Sequence, residues 1–187
     1  MLTFSEFVDR HMRWRYGSGE NTQLTHNQAT IVSLMGSTDK LYYVGPRKVG
    51  ASSIAAARAV YDAAFLASRV VIVGPSLLHA RIGFDIARYI ATSDAAPLSA
   101  EVEKITQKQI TFSSGGSISM CSCLRIANLP TGATCIVEHA NAMKPSLLNT
   151  IAAVAGRVVA ISTGRTSRVS PDLSSDYAVW VMQEVLV

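Results

Sequence analysis

Along this chain, short apolar runs alternate with longer stretches in which apolar residues recur every three or four positions. The runs "KLYYVG" (Lys40 to Gly45), "RVVIVGP" (Arg69 to Pro75), "TCIVEHA" and "RVVAIST" are apolar at consecutive positions. Such runs predict strands covered on both faces, as in a parallel sheet. Between them, Ser52 to Ala67 has alanine-rich helical character. "SLLHARIGFDIARYIAT" predicts a helix from Ser76, and "PSLLNTIAAVAG" one closed by Gly156. "QITFSSGGSISMCSC" alternates on either side of a Ser-Gly-Gly turn and predicts an antiparallel hairpin near 110–123. The segment from Ser93 to Lys108 has the faintest pattern and reads as a short helix. After the polar loop "GRTSRVSPDLSSD", "YAVWVMQEVLV" predicts a last strand.

Two capping signatures mark the start of the chain. Thr3-x-x-Glu6 predicts a helix running towards Tyr16, part of an N-terminal helical extension over 1–20. After the loop "GSGENTQ", Thr25-x-x-Gln28 predicts a second helix from Asn27 to Met35, ending at Gly36. The whole pattern predicts an α/β fold, a mainly parallel central β-sheet flanked by helices. Ligands of such sheets sit beyond the C-terminal strand ends. The residues with chemical potential gather there: the 45–53 loop, Glu138, and Ser162 with Thr163.

Composition narrows the picture. A chain of 187 residues with 49% hydrophobic and 16% charged residues suits one well-buried domain over 1–187. A net charge of +4 permits a phosphate or nucleic-acid partner without demanding one. Cys121, Cys123 and Cys135 have no disulfide-framework spacing, which predicts a reduced intracellular setting and no cysteine-bound metal. No apolar run reaches the roughly 18–20 residues of a membrane span, and the first residues lack a signal-peptide core. A cytoplasmic protein without a membrane partner is expected.

The stretch "GPRKVGASS" follows the first strand run and opens a helix. Against the phosphate-loop pattern G-x-x-x-x-G-K-[ST], Gly45, Gly50 and Ser52 fit, and Ala51 stands where the lysine belongs. Backbone N–H groups of such a turn favour phosphate whatever the side chains are. Arg47 and Lys48 bring positive charge from within the loop. The plainer reading is a strand–turn–helix whose glycines ease a tight connection. A phosphate-loop enzyme also needs an acid at the end of a nearby apolar strand, and "CIVEHAN" supplies Glu138 followed by His139. Either Glu138 is the metal-binding acid and His139 replaces the catalytic glutamate, or Glu138 is catalytic and the metal acid is missing.

Five segments in order, over roughly residues 20 to 165, resemble the N-terminal ATPase domain of bacteriophage large terminases. "LTHNQATIVSLM" resembles the adenine-reading glutamine motif, and "GPRKVGASS" the Walker A loop, in which a basic residue often precedes the glycine. "VVIVGPSLLHARIGF" resembles the strand and helix that follow. "ITFSSGGSISMCSC" with "LPTGATCIVEHAN" resembles the hairpin and Walker B strand, and "RVVAIST" the coupling motif. The chain departs from the family pattern at Ala51 and His139.

The resemblance implies a P-loop NTPase-like fold and an ATPase that uses ATP and Mg²⁺ to drive double-stranded DNA into a procapsid. It implies nucleotide binding by Gln28, Gly45, Pro46, Arg47, Lys48, Val49, Gly50, Ala51, Ser52 and Ser53. Ser52 and Glu138 would hold Mg²⁺; Glu138, Arg47 and His139 would be catalytic; Ser162 and Thr163 would couple hydrolysis to movement. Implied partners are double-stranded DNA, the portal protein, the small terminase subunit and further copies in a homo-oligomeric ring, in the host cytoplasm at the portal. Arg81, Arg165 and Arg168 are candidates for DNA or neighbouring-subunit contacts. No nuclease domain is expected within these residues. The competing readings are a nucleotide- or partner-binding module that does not hydrolyse, and a helicase-type translocase fragment.

Overall fold

The apolar runs become adjacent strands of one sheet. In the computed structural model, which describes residues 2–12, 24–92, 98, 101–164, 169 and 171–182, the elements in chain order are α1 (Phe4–His11), α2 (His26–Ser37), β1 (Lys40–Gly45), α3 (Ala51–Leu66), β2 (Arg69–Gly74), α4 (Leu77–Thr92), β3 (Val102–Ile105), β4 (Gln109–Phe112), β5 (Ser117–Ser122), β6 (Thr134–Val137), α5 (Pro145–Val154), β7 (Arg157–Thr163) and β8 (Ala178–Val181). The strand order is β3-β4-β5-β2-β6-β7-β1-β8. Every pair from β5 to β8 is parallel, while β3–β4 and β4–β5 are antiparallel. The mainly parallel α/β sheet and the hairpin therefore stand as the sequence predicts.

Successive strand residues point to opposite faces, and the two faces carry two cores. Leu41, Tyr43, Val70, Ile72, Ile136, Val159 and Ile161 pack with residues of α1 to α4. Tyr42, Val44, Val71, Val73, Val137, Val158 and Ala160 pack with Leu148, Ile151 and Ala152 of α5. This explains why the runs lack alternation: neither face of the central strands meets water. Helix α3 is buried along nearly its whole length from Ala51 to Ala64. Its alanines combine the highest helix propensity with the smallest side chain that still packs, so α3 can lie close to the sheet.

Both capping boxes form: Thr3 with Glu6, and Thr25 with Gln28. The predicted extension of α1 towards Tyr16 lies outside the described residues. Of the predicted short helix between Ser93 and Lys108, Leu98 and Glu101 are in 3-10 conformation, residues 93–97 and 99–100 lie outside the described residues, and the rest is corrected, since Val102–Ile105 is an edge strand against β4. Its exposed, mixed-polarity residues leave no inward-facing signal, and pairing with β4 decides its state. At α5 the cap is Ala155, not glycine. Gly156 instead answers a close approach, since a Cβ there would meet the Gly132 carbonyl oxygen at 2.8 Å.

At the N-terminal end of the parallel strands lies a buried charge network. Arg58 and Asp62 of α3 are 3% and 1% exposed and pair at 2.8 Å. Arg58 also donates to the Met35 carbonyl at 3.0 Å. Asp62 accepts from Thr134 Oγ1 at 2.9 Å, and Arg157 approaches it at 3.7 Å. One carboxylate between two guanidiniums thereby ties α2, α3, β6 and β7 together.

Candidate functional site

Strand β1 ends at Gly45, where a Cβ would overlap the Tyr43 phenol. The chain then turns sharply, with Lys48 at φ 67° and Gly50 at φ 92°, before α3 starts at Ala51. Left-handed backbone suits glycine at position 50 and is costly for lysine at 48. The N–H groups of Ala51, Ser52 and Ser53 lie in the first turn of α3, where the helix itself offers them no carbonyl. The first turn of any helix leaves such donors over, and alternating backbone hand gathers them into an anion-binding concavity.

A pocket of about 400 Å³ opens at this point. Its lining residues are Pro46, Arg47, Lys48, Val49, Gly50, Ala51, Ser52, Ser53, His139 and Thr163. The loop, the residue after Glu138 and the end of β7 therefore meet, although they are far apart in sequence. Ser52 Oγ donates to Glu138 Oε2 at 2.9 Å. Glu138 is 3% exposed, and burial pushes its carboxyl up to about 7 against the pull of the Ser52 hydrogen bond. Its other oxygen, Oε1, is buried without a hydrogen-bond partner. A hydroxyl and a desolvated carboxylate side by side, next to the loop's pocket, are hard oxygen donors that fit Mg²⁺.

His139 follows in a left-handed conformation, φ 53°. Its ring meets that of His79 edge to face, with centroids 4.8 Å apart. His79 Nδ1 lies 2.8 Å from Ser76 Oγ. Burial lowers the His139 pKa, and repulsion from His79 and Arg47 adds to the effect. Sequence reasoning missed His79 and Ser76, for which a Ser-x-x-His spacing at a helix start was the available signal. It also missed Gly83 of α4, where a Cβ would stand 3.1 Å from Glu138 Oε1. A glycine inside an otherwise regular helix marks such a close approach.

The remaining candidates lie less directly on the pocket. Ser162 is fully buried, one residue before Thr163 on β7. Gln28 is in the first turn of α2, and its Oε1 accepts the Thr25 N–H at 3.0 Å. Arg81 is on the surface of α4, 3.5 Å from Asp85. Arg165 and Arg168 lie outside the described residues. Among the described residues there is no cluster of three or more metal-ligating His, Cys, Asp or Glu side chains. No described helix is long and apolar enough to cross a membrane.

Comparison with solved structures decides the fold. A variant of the large terminase ATPase domain of Thermus phage P74-26 matches with a TM-score of 0.61 at 15% identity, over 86% of this chain and 81% of that one. The fold is that of a phage large terminase ATPase domain. The HK97 bacteriophage large terminase matches with a TM-score of 0.63 at 13% identity, over 89% of this chain. The large terminase of a thermophilic bacteriophage matches at 0.55 and 12%, over 75% of this chain. The chain spans 38% and 39% of those two terminases, against 81% of the ATPase domain. No protein-family model matches the chain, and no curated sequence does.

Proposed function

We propose that this chain is an ATP-binding and ATP-hydrolysing motor domain of a viral DNA-packaging terminase. The observation that carries the reading is the 2.9 Å hydrogen bond from Ser52 to Glu138 beside the pocket at the loop. It supports Glu138 as the metal-side acid, and in this reading His139 would stand in for the catalytic glutamate. The loop N–H groups would cradle the phosphates, and Lys48 or Arg47 would supply the charge that Ala51 lacks. Gln28 would face the base with its amide N–H₂, because its oxygen serves the helix cap. Ser52 and Glu138 would hold Mg²⁺, which when bound neutralises charge between the β- and γ-phosphates. His139 would orient the attacking water, and Thr163, the register partner of Gly45 on β7, would report the γ-phosphate to that strand.

In this reading the domain acts in a ring of copies on a portal, around double-stranded DNA, with a small terminase subunit as a further partner. The host cytoplasm is the setting, and residues 1–187 form one ATPase unit. A second reading, nucleotide binding without hydrolysis, is favoured by the double departure at Ala51 and His139. Equilibrium ATP binding measured beside phosphate release tests both. Binding with turnover supports the motor, binding alone supports the second reading, and no binding of ATP in the presence of Mg²⁺ removes both.

A further inference from the structure

Strand β5 and the start of α4 lie at the same end of the sheet as the phosphate loop, four strand positions from β1. That is roughly 20 Å at the usual strand spacing. A second groove, of about 230 Å³, opens there between Leu77, Leu78 and Arg81 of α4, Met120 of β5, and Gln107 and Lys108 of the β3–β4 turn. Leu77 is 43% and Leu78 71% exposed, and Ile82 and Ile105 are further exposed aliphatics. Ile105 pairs with Ile110, and Ile110 with Ile118. Opposed residues share a sheet face and alternate residues along a strand do too, so Ile105 lies on the face of Met120. Leu77 and Leu78 line one groove with Met120, and such a grouping marks an interaction surface rather than scattered surface residues.

The rim is cationic. Lys108 has no ion pair among the described residues. Arg81 shares the single carboxylate of Asp85 with Arg88, at 3.5 and 3.2 Å. The charge excess calls for an acidic partner. The floor argues against nucleic acid, because aliphatic side chains gain little from phosphates and the lining holds no aromatic ring on which a base would stack. We propose that this groove docks an acidic amphipathic segment of a partner protein, with its aliphatic face on Leu77, Leu78 and Met120 and its carboxylates towards Arg81 and Lys108. This is recognition of an amphipathic segment by an apolar groove, and it does not depend on the nucleotide reading.

The test uses labelled synthetic amphipathic peptides of about 16 residues with one leucine face, flanked by glutamates in one peptide and lysines in the other. Fluorescence anisotropy with the whole chain reads binding. The glutamate peptide is expected to bind at least about tenfold more tightly than the lysine peptide. Leu78→Glu and Lys108→Glu are each expected to weaken it about tenfold or more, with unchanged circular dichroism, while Lys144→Glu leaves it unaffected. Equal or tighter binding of the lysine peptide overturns the proposal. So does no binding of either peptide at millimolar concentration, or displacement of the bound glutamate peptide by duplex DNA.

Discussion

Ser52 and Glu138, 86 positions apart in the chain, are joined by one hydrogen bond of 2.9 Å across the end of the sheet. The serine lies in the first turn of α3 and the glutamate follows β6, with β7 lying between β6 and β1. The carboxylate is desolvated and half-satisfied, since Oε1 has no partner. That leaves one carboxylate oxygen free to accept a further bond.

The pH dependence of stability follows from that carboxylate. The folded-state pKa of Glu138 is raised from 4.5 to about 7. A raised acid contributes stability below its unfolded pKa and loses that contribution as pH rises through the folded one. Glu138→Gln is therefore expected to stabilise the chain at pH 8 by on the order of 3 kcal/mol, with the gain shrinking towards pH 5. Urea denaturation at the two pH values checks this; a difference independent of pH contradicts it.

Lys48 combines a left-handed backbone with the loop's candidate charge. Lys48→Gly relieves the backbone and removes the ammonium, so it separates the two. Fold stability should hold or rise, while ATP affinity falls about tenfold, or roughly 1.4 kcal/mol. Ala51→Lys in that background should restore binding. Calorimetric titration of both variants is the measurement, and parent-like ATP affinity in Lys48→Gly rules the lysine out.

His139→Glu would put a carboxylate beside Glu138 where the terminase pattern has one. The left-handed φ of 53° costs glutamate about 1 kcal/mol. Turnover should nevertheless rise about tenfold or more, with ATP affinity changed less than about threefold. A rate that stays flat or drops would show that His139 is not in the catalytic position.

Removing Asp62 strands Arg58 in the core. Asp62→Ala should cost about 3–5 kcal/mol, as breaking a buried pair does. Arg58→Met should cost less, because Arg157 still approaches Asp62 at 3.7 Å and methionine fills part of the volume. Thermal unfolding of the two variants gives the order; the reverse order would show that the network is held by Arg58 alone.

Most of the sheet was readable because its central strands are buried on both faces and announce themselves as apolar runs; Lys40–Gly45 and Arg157–Thr163 match the predicted runs residue for residue. The edge strand Val102–Ile105 was not, because an edge residue owes its state to its neighbour. In the site, Gly50 and Ser52 were legible from spacing alone. His79, Ser76 and Gly83 were not, because they reach the site from α4 and its approach, a relationship that exists only after packing. The pairing of Ser52 with Glu138 is likewise a tertiary fact.

The position of β7 sets the order in which this site can assemble. During synthesis the loop at 45–53 and the acid at 138 both emerge before residues 157–163. Yet in the finished sheet β7 is the spacer that holds β1 and β6 in register on either side of it. A nascent chain therefore has every polar group of the Ser52–Glu138 pair long before it has the pair. Assembly of the pair waits for the insertion of a strand from late in the sequence. A truncated chain ending before Arg157 should carry the phosphate-loop sequence and bind no phosphate with it.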